Sequence, residues 1–211
     1  MNSNPTLTAT TEFSMASQPN QPFMTEAQYL ASERSSDVKR EYIDGEVIAM
    51  AGAHHNHSRI AANVLGEFRN HLKGRSCEAF MADTKVKAGQ NYFYPDVVVD
   101  CTEAQGNADY LTSPLLIVEV LSNSTRKIDT TKKLLYYINI PSLEEYVLIE
   151  QDIASIVMMR RKHNWRSEYF YLGDQVTFDS IQLTLSVAEL YDRVDNDDVK
   201  QFKQALVEQD Q

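Results

Sequence analysis

The most regular hydrophobic pattern in the chain lies between residues 56 and 73, where Ile60, Val64, Phe68 and Leu72 recur every fourth position and Ala61 and Leu65 widen the stripe. That spacing predicts an amphipathic helix, and Gly74 supplies its stop. A different period governs Arg40–Met50, where two short alternating runs flank Asp44-Gly45 and predict a hairpin. A shorter helix is expected from Thr25 to about Ser35, capped by Thr25 with Glu26 in its first turn. Strands are expected near Cys77–Met81, at Thr84–Lys87 before Ala88-Gly89, and at Asp96–Asp100. The run Leu115–Leu121 is apolar except for Glu119, as in a strand covered on both faces. A helix over about Asp129–Asn139 follows and ends before Pro141. Glu145–Glu150, Ser155–Arg160 and Glu168–Leu172 read as a meander, and Val187–Tyr191 as a short closing helix.

This organisation places a flexible polar tail at residues 1–22, a folded domain at 23–191, and a polar tail or short helix at 192–211 with Val199, Phe202 and Leu206 as a weak apolar stripe. A hydrophobic fraction of 43% belongs to a chain that folds around a core. No apolar run is long enough to cross a membrane, and the first 22 residues lack the basic and apolar regions of a secretory signal. Cys77 and Cys101 stand alone, with no CxxC. They argue against a disulfide framework or a zinc ribbon, so a reducing, cytoplasmic setting is expected. The formal net charge of −10 opposes long-range attraction to nucleic acid, although an acidic metal site adds negative charge of its own and bound cations reverse the local field.

Glu119 is the most informative residue. A lone carboxylate in a core strand costs several kcal/mol unless it is paired, hydrogen-bonded or bound to a metal. Asp96 poses the same problem at the start of Val97-Val98-Val99, after Pro95. Two acids on neighbouring core strands can converge on one cation, and magnesium favours one or two carboxylates with the remaining positions filled by water and phosphate. Lys133, on the helix after the Glu119 strand, could complete such a site by holding the attacking water and offsetting charge on the phosphate. Spacing balances that role against a simple i,i+4 pair with Asp129. Lys132 points to another helix face. His54-His55-Asn56-His57 reads as a polar loop leading into the helix rather than a zinc site, because no further ligand is linked to it in sequence.

Tyr94-Pro95-Asp96-Val97-Val98-Val99, then Leu116–Thr125, then Asp129 through Lys133 to Tyr137 resemble the Uma-type family of the PD-(D/E)xK nuclease superfamily. The likeness extends to Glu145–Ile149 and upstream to Glu41–Glu46, and covers about residues 25–190. It implies an α/β fold with a restriction-endonuclease-like core, a mixed central sheet flanked by helices. It also implies a magnesium or manganese ion on Asp96, Glu119 and the carbonyl of Val120, and keeps Glu46 and His57 as secondary site residues. In the superfamily pattern the lysine stands two residues after the acid. Leu121 occupies that position here, and the resemblance moves the role to Lys133. The implied activity is metal-dependent endonucleolytic hydrolysis of phosphodiester bonds, with DNA expected ahead of RNA; a homodimer is compatible with the sequence. Two rivals remain open: a nuclease-fold protein that is weak or inactive and serves as a binding or regulatory module, and a phosphodiesterase for small nucleotides, which needs no basic surface.

Overall fold

The structure, a computed structural model, describes residues 23–50, 52–102 and 108–209, so the tail expected at 1–22 lies outside the described residues. Helix α1 (Glu26–Glu33) begins at a Thr25 capping box closed by Gln28. The hairpin β1 (Arg40–Ile43) and β2 (Glu46–Ala49) turns on Asp44 and Gly45, both with positive φ, as a two-residue connection between twisted strands requires. Helix α2 (His55–Leu72) buries Ile60, Val64, Phe68 and Leu72, the stripe expected from sequence, and Gly74 follows it at φ 77°.

The strand expected at Thr84–Lys87 is β4 (Val86–Ala88), and it pairs with β5 (Asn91–Phe93), a three-residue strand too short to show a period. With β1 and β2 these form a four-stranded antiparallel sheet in the order β2-β1-β5-β4. The central sheet has six strands: β3 (Glu78–Met81), β6 (Val97–Asp100), β7 (Pro114–Leu121), β8 (Glu145–Glu150), β9 (Ser155–Arg160) and β10 (Ser167–Tyr171). Their order is β10-β9-β8-β7-β6-β3, with β7 and β8 parallel and the other pairs antiparallel. Alternation along β7 sends Leu116, Val118 and Val120 to the face packed by α2, and Ile117 and Leu121 to the opposite face. A second hairpin, β11 (Gln175–Phe178) with β12 (Leu183–Ser186), and the short α5 (Val187–Leu190) close the α2 side. That hairpin, not expected from sequence, is pinned to the sheet by the buried Glu145 carboxylate, which accepts hydrogen bonds from the Asp179 and Ser180 amides. The C-terminal stretch forms α6 (Asp197–Gln209), with Val199 buried and Leu206 exposed.

The other face is covered by the four-stranded sheet and by the segment after β7. That segment is helical from Arg126 to Tyr137, three residues earlier than expected. A π-helical stretch at Asp129–Lys133 separates α3 (Arg126–Ile128) from α4 (Leu134–Tyr137). Such stretches are rare and cluster at functional sites.

The cysteines are bonded to each other, which corrects the expectation drawn from their spacing. They are 24 residues apart, yet the β3–β6 register pairs Glu78 with Asp100 and so sets Cys77 and Cys101 face to face at the strand ends. Linear spacing carries no trace of that pairing. Closing a loop of this length stabilises by about 3.5 kcal/mol on the chain-entropy account. Reduction, or the double change Cys77→Ser and Cys101→Ser, is therefore expected to lower the melting temperature by roughly 10 °C. Coincident oxidised and reduced melts would show that the bridge contributes nothing.

Candidate active site

Glu119 sits on the face of β7 turned towards the π-helical segment, between Ile117 and Leu121, and is 3% exposed. The antiparallel register pairs Val97 with Val118, and continued by one residue it sets Asp96 opposite Glu119. Residues directly opposite in such a ladder share a face. Asp96 is fixed there by the Val120 amide, which donates to its Oδ2 at 2.7 Å. The two acids placed on neighbouring strands by sequence reasoning therefore stand side by side at the mouth of the sheet.

Lys133 enters the same place from the π-helical stretch and is 3% exposed. Its Nζ lies 2.9 Å from Glu41 Oε1, 3.1 Å from Glu119 Oε1 and 3.1 Å from Asp129 Oδ1. The i,i+4 pair with Asp129 is thus present, but buried inside the cluster rather than on a solvated helix face. Tyr137, one turn on, donates its hydroxyl to Glu119 Oε1 at 3.1 Å, so this core tyrosine also belongs to the site. His57, in the first turn of α2, places Nε2 3.3 Å from Asp96 Oδ2. Lys132 lies apart, 3.5 Å from Asp44.

Two members of the cluster were not anticipated as site residues. Glu41 lies on β1, buried between Arg40 and Tyr42, and accepts the Tyr94 amide at 3.1 Å. An acid within a strand whose next two residues are apolar was the available signal. Asp129 is 1% exposed, whereas its spacing from Lys133 alone points to no more than a helix pair. Glu46, expected as a secondary residue, lies elsewhere: it is exposed, opposite Ile43 at the hairpin turn, and does not line the cleft. Glu46 shares the face of Glu41 and Ile43 but stands beside the turn, where it is exposed, whereas Glu41 is buried further along β1.

Four carboxylates, from Glu41, Asp96, Glu119 and Asp129, thus surround one ammonium and one imidazole. Burial pushes the Glu119 carboxyl well above the usual carboxylate range; Lys133 opposes this, while Asp129, Asp96 and Glu41 add to it. Burial alone would lower the Lys133 ammonium, but Glu119, Glu41 and Asp129 hold it well above the ordinary lysine value. Lys133 stays charged, and Glu119 is an acid that resists ionisation while the cluster lacks further positive charge. Burial also works against a charged His57, and the hydrogen bond and charge of Asp96 outweigh it. Asp129 Oδ1, although close to Nζ, has no aligned hydrogen bond.

Hard carboxylate oxygens with an excess of negative charge are a donor set suited to magnesium or manganese. Among the described residues no three His, Cys, Asp or Glu side chains are placed to hold a metal ion together. The cluster opens into a cleft of about 970 Å³ bounded by β1–β2, α2 and the loop Ser122–Thr125.

A protein from Synechocystis sp. PCC 6803, uncharacterized protein slr1290, is 33% identical over 184 residues, covering 84% of this chain and 97% of its own. Uncharacterized protein sll1609 of the same organism is 38% identical over 133 residues, covering 61% of this chain and 75% of its own. A crystal structure of a putative nuclease belonging to DUF820 from Anabaena variabilis superposes with a TM-score of 0.70 at 22% identity, covering 80% of this chain and 98% of that one. The fold is the restriction-endonuclease-like α/β fold, with its mixed central sheet flanked by helices. The family model described as Uma2, putative restriction endonuclease, matches residues 26–188, and the chain belongs to that family.

Proposed function

We propose that this protein is a metal-dependent endonuclease that hydrolyses phosphodiester bonds of nucleic acid. The observation that carries the reading is the meeting of half-buried Asp96, just before β6, and buried Glu119 on β7, with an unbalanced carboxylate cluster around Lys133. Asp96, Glu119 and the carbonyl of Val120 would hold a magnesium or manganese ion, and among the described residues no donor is assigned to the second oxygen of either acid. When bound, such an ion polarises the phosphate and makes water a better nucleophile.

The chain's own residues supply the remainder. Lys133 presents a fixed ammonium where negative charge develops on the phosphate, in a site where burial strengthens the interaction. Glu41 and Asp129 hold that ammonium in position, and Tyr137 fixes the orientation of Glu119. His57, braced by Asp96, can pass a proton between water and the reacting oxygens. Water adds to phosphorus, one phosphorus–oxygen ester bond breaks, and the products are a phosphate monoester and a hydroxyl end.

No helix among the described residues is long and apolar enough to cross a membrane. The direct test is incubation of purified protein with plasmid and single-stranded substrates in magnesium, in manganese and in EDTA. Cleavage with either metal and none in EDTA is the expected result; intact substrate under every condition would remove the reading.

A further inference from the structure

Above its carboxylate floor the cleft is walled by apolar side chains. Val38 and Met81 are 56% and 51% exposed, and they line the cleft together with Ile48, Met50 and Leu65. The α2 wall is stripped of bulk: Ser58, Ala62 and Gly66, four apart, all face the opening, and a Cβ built on Gly66 meets nothing within 4 Å. Cationic groups are few. Apart from Lys133 and the histidines, the lining carries Arg69, with no ion pair among the described residues, and Lys39, which pairs with Asp83 on the surface. An exposed pair of that kind contributes little and can be exchanged for a phosphate.

These features suit one form of nucleic acid better than another. A duplex presents a phosphate about every 1.7 Å of its axis, and proteins hold it chiefly by neutralising several of them. This chain carries a net charge of −10 and offers two such cations beside the site. A volume of about 970 Å³ has the scale of a small-molecule pocket and admits a few bases, not a paired helix. Bases exposed in an unpaired strand offer apolar faces that stacked and paired ones do not.

We propose that the cleft binds an unpaired nucleic-acid strand, its bases against Val38, Ile48, Met50, Leu65 and Met81 and its phosphates running from the acid cluster to Arg69 and Lys39. This assignment rests on the nuclease reading and specifies its substrate. The strand's backbone passes close to α2 along Ser58, Ala62 and Gly66, where a larger side chain would obstruct it.

Fluorescence anisotropy with short labelled DNA and RNA strands, the matching duplexes and a dinucleotide, in calcium in place of magnesium, tests the assignment. The expected result is binding of an unpaired strand at least tenfold tighter than the duplex of the same sequence. The DNA and RNA arms identify which strand is preferred. The salt dependence should be shallow, with a slope of about −1.4 for two phosphate contacts, falling by about 0.7 in Arg69→Ala. Gly66→Met, which suits a helix and meets open space, should melt no lower than the wild type and bind at least tenfold more weakly. Equal or tighter duplex binding, a dinucleotide bound as well as the strand, or unchanged binding by Gly66→Met would each overturn the assignment. If duplex is cut with magnesium as readily as single strand, the assignment falls and the nuclease reading stands. If no nucleic acid is bound or cut, both fall.

Discussion

Lys133→Met is expected to destabilise the fold by about 3–5 kcal/mol, the cost of leaving buried charges without their partner. The ammonium lies within 3.1 Å of three carboxylate oxygens and is itself almost fully buried. Methionine fills much the same volume, so the loss reports charge rather than a cavity. Without the ammonium, the repulsion among Glu41, Glu119 and Asp129 is uncompensated, and the Glu119 carboxyl, which burial already raises, loses the charge that opposes that rise. A group raised in this way destabilises the fold at pH values above its unfolded pKa, and the penalty fades as pH falls through the carboxylate range. Urea melts should show a large deficit at neutral pH that shrinks in acid and is partly recovered by added magnesium or manganese. A deficit below about 1 kcal/mol at neutral pH would mean that Lys133 is not the charge that balances the cluster.

Glu119→Gln should behave in the opposite way. Its stability should stay within about 1 kcal/mol of the wild type, because Lys133 keeps Glu41 and Asp129 as partners and one source of repulsion among the acids is removed. Its cleavage should fall by at least about 10²-fold, since loss of a group that merely supports a metal ligand already costs 10–100-fold. Parallel melts and cleavage assays separate the two properties. A variant that cleaves like the wild type would exclude Glu119 from the chemistry, and one that melts as low as Lys133→Met would make it chiefly half of an ion pair.

What could be read from sequence divides along physical lines. The α2 stripe, the β7 run and the anomaly of Glu119 within it are local patterns, and a period or an out-of-place charge announces them. Lys133 was reachable because the resemblance pointed past Leu121, which packs in the core on the Glu119 face. Glu41 is not legible as a site residue, because its role depends on β1 pairing with β5 and bringing it to the Tyr94 amide, a contact across 53 residues. Asp129 looked like an ordinary helix-surface pair because nothing in Asp129–Lys133 signals the π-helical winding that turns both ends inward. The β5 and β11–β12 strands are three and four residues long, below the length at which alternation becomes visible. The disulfide depends on a register, and register belongs to the sheet rather than to either strand.

The Cys77–Cys101 bond also has a mechanical meaning. A pull applied at the two ends of the chain cannot extend the residues it encloses, because the load passes through the sulfurs. With a separation of 24 residues, about 80 Å of contour length stays hidden while the bond is intact. Asp96 lies inside that loop. Under tension along the chain, this wall of the site is shielded until a reductant opens the bridge.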